Sequence, residues 1–345
     1  MEGKRHSVLL TGVTGFLGSQ TAIQLLEKGY RVTGTLRNIE RADHIKNVIA
    51  QHTSNIDWLQ FAEANLQDND VWDELMPGID FVQHIASPFP RELPDHEDEL
   101  ILPAKNGTIN ILKAASAHNV NVKRVVLTSS IGAIIYGKQK GIEDGIYTEA
   151  DWTNCDNKDD TTPYYRSKTI AEKEAWKFMD QHNGELEFAT VCPGAILGPV
   201  LEKDFGTSAN IVRKAMDGSM PAVPNIGFDI VDVRSVADLL IRAMEHPEAA
   251  GERFIGSSAY LKFNEITEIL QEHFPDRSIP TWILPNFIVR LFSYFDSTLE
   301  PILNDLGKER KVDSSKSRNV LQWEPLPVKE AVRSCARSLI NVELI

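Results

Sequence analysis

Short apolar runs alternate with longer, helically periodic segments through the first 130 residues of the chain. The apolar runs at 7–11, 31–37, 57–64, 81–86 and 124–130 predict buried strands, and the periodic segments between them predict helices. Repeated strand–helix–strand units with short links are typical of a parallel sheet with right-handed crossovers. The pattern therefore predicts an α/β fold with a doubly wound parallel sheet, whose ligand lies beyond the carboxyl ends of the strands.

The second half of the chain is less regular and richer in proline and aromatic residues. A strand is predicted over 228–233, with a covering helix directly after it. We expect residues 1–194 to form a Rossmann-type sheet domain, to which residues 226–256 return. Residues 195–225 and 257–345 are expected to form a smaller, discontinuous lobe that closes over the ligand and binds the substrate.

A glycine-rich turn joins the first predicted strand to the first predicted helix, with the sequence Thr-Gly-Val-Thr-Gly-Phe-Leu-Gly over residues 11–18. Strand, turn and helix in this order are the context of a dinucleotide-binding turn. Gly12 allows the tight turn, Gly15 lets the backbone approach a pyrophosphate, and Gly18 lets the helix pack closely on the strand. The spacing is G-x-x-G-x-x-G, and such a triplet by itself is often only a strand-to-helix turn.

The end of the second predicted strand bears on the choice of cofactor. An NAD-binding chain usually carries an acidic residue here, about 20 positions after the glycines, to bind the ribose 2′-hydroxyl. This chain has Arg37 followed by Asn38 instead. Because a guanidinium pairs well with a phosphate, the sequence favours NADP over NAD. Arg41, one helical turn further on, would add a second positive charge.

Composition narrows the classes of function. The chain has 345 residues and a formal net charge of −13, whereas nucleic acids and anionic membranes both attract basic surfaces. Cys155, Cys192 and Cys335 are too widely separated for a disulfide framework or a zinc site, so no metal is predicted. No apolar run is long enough to span a bilayer, and no signal peptide precedes the first strand. We expect a soluble, cytoplasmic protein that binds neither nucleic acid nor membrane.

Two Tyr-x-x-x-Lys pairs are candidates for proton transfer. Tyr136 and Lys140 lie among glycines that indicate a loop, so this match is interpreted as chance. Tyr164 and Lys168 follow a threonine cap and Pro163, which predict a helix that places both side chains on one face. The Lys168 ammonium is expected to lower the pKa of Tyr164 toward neutrality. The phenol could then give a proton to a carbonyl oxygen, or remove it in the reverse reaction.

The predicted strand before this helix ends in three hydroxyl residues, Thr128, Ser129 and Ser130. They lie at the edge of the sheet where the ligand is expected, so one serine could hold a substrate carbonyl. The alternative is that such hydroxyls only satisfy backbone groups, which we expect for Thr128.

As an ordered set, these features resemble the extended short-chain dehydrogenase/reductase family. Within it they are similar to the dihydroflavonol 4-reductase-like and methylglyoxal (aldehyde) reductase group. The resemblance covers nearly the whole chain and is carried by residues 11–18, 37, 84–89, 124–130, 164–173, 193–199, 231–234 and 313–316. It implies that Ser130 orients the substrate carbonyl, that Tyr164 donates the proton, and that Lys168 tunes the tyrosine and holds the nicotinamide ribose.

The resemblance also implies a set of residues that bind NADP(H). They are Gly12, Thr14, Gly15, Phe16, Leu17, Gly18, Arg37, Asn65, Leu66, Ile85, Ala86, Ser87, Tyr164, Lys168, Pro193, Gly194, Ala195, Ile196 and Ser208. The chain departs from the family twice. Asn65 stands where the family usually has aspartate, and His44 stands where plant relatives carry a lysine for the 2′-phosphate.

These residues predict an NADPH-dependent reductase of a small or medium-sized aldehyde or ketone. A predominantly apolar substrate pocket is expected from Phe89, Ile131, Ile134, Tyr165, Val200 and Phe205, although each could instead belong to the core of the lobe. Alternatives on the same fold are a nucleotide-sugar epimerase or dehydratase, and a non-catalytic NADP-sensing protein. The protein is expected to be a monomer or a homodimer.

Overall fold

A parallel seven-stranded sheet forms the centre of the protein. The computed structural model describes residues 5–87, 96–138, 145–203, 206–294 and 302–345. The strands, in chain order, are β1 (Ser7–Thr11), β2 (Arg31–Leu36), β3 (Leu59–Glu63), β4 (Phe81–His84), β5 (Arg124–Thr128), β6 (Ile146–Tyr147), β7 (Glu187–Pro193), β8 (Ala195–Leu197), β9 (Val223–Pro224), β10 (Gly227–Asp232), β11 (Arg253–Gly256), β12 (Ala259–Lys262), β13 (Ile283–Leu284) and β14 (Lys311–Val312). The central sheet has the order β3-β2-β1-β4-β5-β7-β11.

Helices cover both faces of this sheet. They are α1 (Phe16–Glu27), α2 (Ala42–Ala50), α3 (Asp70–Leu75), α4 (Asp98–Ala115), α5 (Pro163–Gln181), α6 (Asn210–Met216), α7 (Val233–Glu245), α8 (Phe263–His273), α9 (Asn286–Ser293), α10 (Ser315–Leu321) and α11 (Val328–Asn341). Alternate residues of β1 face opposite sides: Leu10 packs in the core beneath α1 and α7, and Leu9 in the core beneath α4. The predicted doubly wound α/β sheet is confirmed.

A smaller sheet forms beside the central one. Strand β10 pairs with β8 in parallel and with β12 in antiparallel orientation. A separate apolar core under this sheet is formed largely by α6, α8 and α11. The predicted strand near residues 228–233 is thus present in this smaller sheet, whereas α7 and β11, which follow it, pack on and extend the central sheet. The division of the chain into domains stays a prediction.

Helix α5 begins where its sequence signals predict. The Thr162 hydroxyl accepts a hydrogen bond from the Tyr165 backbone N–H, and Pro163 occupies the first helical turn. Helix α5 packs on α4 and on the 3-10 turn (Ile131–Ala133) that follows β5. Within the described part of the chain, no helix combines the length and the apolar character needed to cross a membrane.

Candidate active site

The turn after β1 has the shape that a phosphate group requires. Gly12 has a φ of +74°, which disfavours any other residue, and a Cβ at Gly18 would collide with the Gly12 carbonyl oxygen. Helix α1 then begins with Gly15 as its cap, so no side chain covers its first N–H groups, and its first turn carries no acidic residue. These groups and the helix dipole favour an anion at this position.

A buried polar contact joins this turn to the turn after β4. The Thr11 Oγ1 accepts hydrogen bonds from the backbone N–H groups of Ile85 and Ala86, at 3.1 and 3.0 Å, and lies 2.9 Å from His84 Nδ1. Burial lowers the pKa of His84 to about 3, so its ring is neutral at physiological pH. Local spacing does not predict this contact, because Thr11 and His84 are 73 residues apart.

Ser130 and Tyr164 meet at the carboxyl end of β5. Their side chains are joined by a hydrogen bond, and Ser130 Oγ also accepts from the Gly132 N–H at 3.0 Å. The neighbouring Ser129 donates instead to Glu172 Oε2 at 2.5 Å. Consecutive hydroxyls therefore leave the chain in different directions, as expected for extended backbone.

Lys168 lies one helical turn after Tyr164, and its Nζ donates to the Thr128 carbonyl oxygen at 3.2 Å. Burial lowers the pKa of Lys168 to about 8, opposed by the nearby Cys192 and Glu172. Burial also raises the pKa of Tyr164 to about 12, against the opposing effect of the Ser130 hydrogen bond. The predicted pKa of Tyr164 near neutrality is therefore wrong for the protein chain by itself, since desolvation disfavours the phenolate more than its neighbours stabilise it.

A buried carboxylate lies one further turn along α5, where the sequence analysis assigned no function. Glu172 is fully buried and accepts hydrogen bonds from Arg253 Nε at 2.7 Å and Thr190 Oγ1 at 2.9 Å, in addition to the one from Ser129. This network ties α5 to β7 and β11 directly behind the end of β5. The signal available in the sequence was the i, i+4 spacing from Lys168.

Tyr165 and Tyr136 form a stacked pair beside the site. Their ring centroids are 3.8 Å apart at an interplanar angle of 11°, and their hydroxyl oxygens are 3.0 Å apart. The Tyr136 hydroxyl also lies 3.2 Å from Asp305 Oδ2. The predicted irregular backbone is present at Tyr136, and its side chain is buried. Sequence spacing could not show that it packs against the residue next to Tyr164.

A cluster of charged side chains packs beside this pair. The Arg310 guanidinium lies 4.5 Å from the centre of the Tyr136 ring and donates to Asp305 Oδ1 at 2.6 Å. It also pairs with Asp160, which accepts a hydrogen bond from Lys308 Nζ at 2.9 Å. The wall next to Tyr165 is therefore partly polar and charged.

The other predicted pocket residues are distributed over two clusters. Ile131 is partly buried and packs with Tyr165 in the cluster that also contains the fully buried Ile134. Val200 is buried in the separate core under the smaller sheet. Phe89 and Phe205 lie outside the described residues. Their roles in a substrate pocket stay predictions.

Several predicted cofactor residues line the same edge of the sheet. Ala86, Ser87 and Lys168 border one small cavity at the ends of β4 and β5. Ser208 lies in a 3-10 turn, and Gly206 before it packs against Phe16 of the glycine-rich turn. The segment that begins with Pro193 and Gly194 passes from β7 into β8, which contains Ala195 and Ile196.

The far end of this edge carries the predicted 2′-phosphate residues. Arg37 is exposed after β2 and forms no hydrogen bond or ion pair with any other residue that the structure describes. Arg41 and His44 both contact Glu202, at 3.0 and 2.8 Å. Asn65 is exposed after β3, and its Oδ1 accepts from a backbone N–H two residues on.

Comparison with known proteins agrees with the resemblance that the motifs indicate. Residues 8–255 match the model of the NAD dependent epimerase/dehydratase family. The chain is 32% identical over 274 residues to cinnamoyl-CoA reductase CAD2 of Medicago truncatula, covering 79% of this chain and 82% of that protein. It is 29% identical over 375 residues to the bifunctional dihydroflavonol 4-reductase/flavanone 4-reductase of Malus domestica, covering 100% of both. The solved structure of yeast methylglyoxal/isovaleraldehyde reductase Gre2 complexed with NADPH superposes with a TM-score of 0.82 at 26% identity, covering 98% of this chain and 99% of that one.

Proposed function

This chain belongs to the NAD dependent epimerase/dehydratase family, and we propose that it reduces an aldehyde or a ketone to an alcohol with NADPH. The observation that carries the proposal is the hydrogen-bonded pair of Ser130 and Tyr164, with Lys168 one helical turn away, at the ligand edge of the sheet. The relatives named as cinnamoyl-CoA reductase and methylglyoxal/isovaleraldehyde reductase support a carbonyl substrate, and the NADPH in the yeast structure supports the cofactor.

The residues present fit a dinucleotide with a 2′-phosphate. Gly12 and Gly18 let the turn pack tightly against the start of α1, whose uncapped first N–H groups would bind the pyrophosphate. Arg37, an exposed cation at the end of β2, would pair with the 2′-phosphate, and Lys168 would hold the nicotinamide ribose. The bound reduced cofactor would supply the hydride.

The protein's own side chains handle the proton. Burial keeps the Tyr164 phenol protonated at neutral pH, so it can donate to the carbonyl oxygen on which negative charge develops. Ser130 holds this oxygen by a second hydrogen bond, and the positive charge of Lys168 favours the phenolate that remains. Each contribution is needed mainly in the transition state, which is where it increases the rate.

The substrate is proposed to be a small molecule, without a phosphate or nucleotide group, and the protein to act as a monomer or a homodimer in the cytoplasm. The stacked tyrosines and the apolar Ile131 at the site favour a compact or aromatic carbonyl compound. Cys155, Cys192 and Cys335 are free thiols in the structure, as suits a reducing compartment.

A screen of NADPH oxidation across aldehydes, diketones and flavonoid-like ketones tests the proposal, with Tyr164→Phe as the inactive control. Turnover of at least one carbonyl class by the wild type, and not by the variant, is expected. Tight NADPH binding without any turnover would favour the sensing protein instead. Conversion of a nucleotide sugar without net cofactor oxidation would favour the epimerase.

A further inference from the structure

One acidic side chain from a distant segment contacts the cationic turn after β2. Glu202 follows β8, 161 residues beyond Arg41. Its Oε1 accepts from Arg41 Nη2 at 3.0 Å, and its Oε2 lies 2.8 Å from His44 Nε2. The Glu202 side chain is only 15% exposed, so this contact is partly sheltered from water and from salt.

The segment that carries Glu202 is held in place at the glycine-rich turn. Gln20 of α1 donates to the Pro199 carbonyl oxygen at 3.2 Å, and Leu201 packs against the core beneath α1. Gly206, a few residues later, contacts Phe16 at the start of the same helix. The Glu202 carboxylate is thus fixed beside the binding site proposed for the dinucleotide.

The basic residues of this turn differ in whether an acidic side chain contacts them. Arg41 and His44 share the single carboxylate of Glu202, whereas Arg37 has no partner among the described residues. Two other acids of the neighbourhood make different contacts: Glu40 lies within hydrogen-bonding distance of an asparagine side chain, and Glu63 accepts from a backbone N–H. Among these three acids, Glu202 is the one that contacts both Arg41 and His44.

We propose that Glu202 is a specificity-determining residue for the cofactor. It offsets the charge of Arg41, contacts His44, and leaves Arg37 as the cation that distinguishes a 2′-phosphate from a 2′-hydroxyl. The inference rests on the proposed use of NADPH. A carboxylate close to the doubly charged 2′-phosphate repels it, but has little effect on a neutral hydroxyl. Glu202 therefore makes the preference for NADPH over NADH smaller than Arg37 and Arg41 would make it without this carboxylate.

Fluorescence titration of NADPH and NADH onto wild type and Glu202→Gln gives the dissociation constants that test this. The variant should bind NADPH roughly three- to tenfold more tightly, the size of one partly exposed charge interaction, and NADH within about twofold of wild type. The gain should shrink as salt is raised to about 0.5 M, where charges are screened within about 4 Å. Glu40→Gln is the matched control, because it removes one negative charge next to Arg41 in the sequence and leaves Glu202 in place.

A double-mutant cycle with Arg41→Gln separates the effect of pairing with Arg41 from direct repulsion of the 2′-phosphate. If Glu202 acts by occupying Arg41, its replacement should tighten NADPH binding much less in the Arg41→Gln background. Unchanged or weaker NADPH binding by Glu202→Gln, or an equal gain from Glu40→Gln, would overturn the inference while leaving the proposed function intact. A wild type that binds NADH as tightly as NADPH would overturn both.

Discussion

Ser129 and Ser130 are adjacent in the chain, yet their hydroxyls serve different parts of the structure. Ser129 donates to the buried Glu172, whereas Ser130 is hydrogen-bonded to Tyr164. The first contact ties the end of β5 to α5, and the second faces the proposed site of reaction. Replacing Ser129 should therefore affect the stability of the fold, whereas replacing Ser130 should affect the reaction.

Ser130→Ala should lower kcat by roughly 10²-fold with little change in the NADPH dissociation constant, because the lost hydrogen bond is needed where charge develops in the transition state. Ser129→Ala should leave kcat within a few-fold of wild type. It should instead lower the free energy of unfolding by about 1–3 kcal/mol, since Glu172 loses a partner inside the protein. Steady-state rates, NADPH titration and urea denaturation of both variants measure these effects. A larger loss of kcat in the Ser129 variant would reverse the assignment.

Tyr164→Phe should lower kcat by roughly 10²-fold or more, the usual contribution of a general acid. Tyr136→Phe should leave turnover within a few-fold, but it removes a buried hydroxyl that contacts Asp305 and should cost about 1–2 kcal/mol of unfolding free energy. Turnover rates and thermal melts of the two variants distinguish the roles. The placement of the site would be wrong if the Tyr136 variant lost more activity.

Arg37→Asp should reverse the preference between cofactors, whereas the wild type should prefer NADPH by at least about tenfold, since a charged hydrogen bond is worth roughly 1.5–3 kcal/mol. The aspartate would repel the 2′-phosphate and accept from a ribose hydroxyl. Values of kcat/KM for NADPH and NADH provide the measurement. Arg31→Gln, an exposed arginine at the opposite end of β2, is the control and should leave the ratio unchanged.

His84 should make the fold sensitive to acid. Its pKa is lowered from 6.5 to about 3 in the folded state, so the unfolded chain takes up a proton that the folded chain does not. The stability that this group contributes is complete above pH 6.5 and is lost as the pH falls toward 3. At pH 5 the loss is about 2 kcal/mol of unfolding free energy. Urea denaturation at pH 7.5 and pH 5 measures how much unfolding free energy is lost between the two pH values. This loss should be smaller by about 2 kcal/mol in His84→Gln than in the wild type. Equal losses in the two proteins would contradict the assignment.

Sequence patterns were sufficient where the structure depends on neighbouring residues. The glycine-rich turn, the strand ends and the capped start of α5 at Thr162 and Pro163 all follow from local spacing. These features also placed Tyr164 and Ser130 at one edge of the sheet, because parallel strands bring their carboxyl ends together.

Contacts between distant parts of the chain could not be predicted in this way. Glu172 with Arg253, Thr11 with His84, and Tyr136 with Asp305 are separated by 81, 73 and 169 residues. Their pairing depends on which elements become neighbours in space. The direction of the Tyr164 pKa shift was mistaken for a related reason, since spacing along a helix shows which charge is near but not how deeply both groups are buried.

The late position of Asp305 and Arg310 in the chain also bears on the order in which the site is built during synthesis. Strands β1 to β5 and helix α5 are complete before residue 182, so Tyr136 and Tyr165 can stack early. Asp305 and Arg310, which fix that pair in the finished protein, leave the ribosome more than a hundred residues later. A nascent chain can therefore form most of the central sheet while one wall of its site is still missing, and activity should appear only after the segment around β14 has docked.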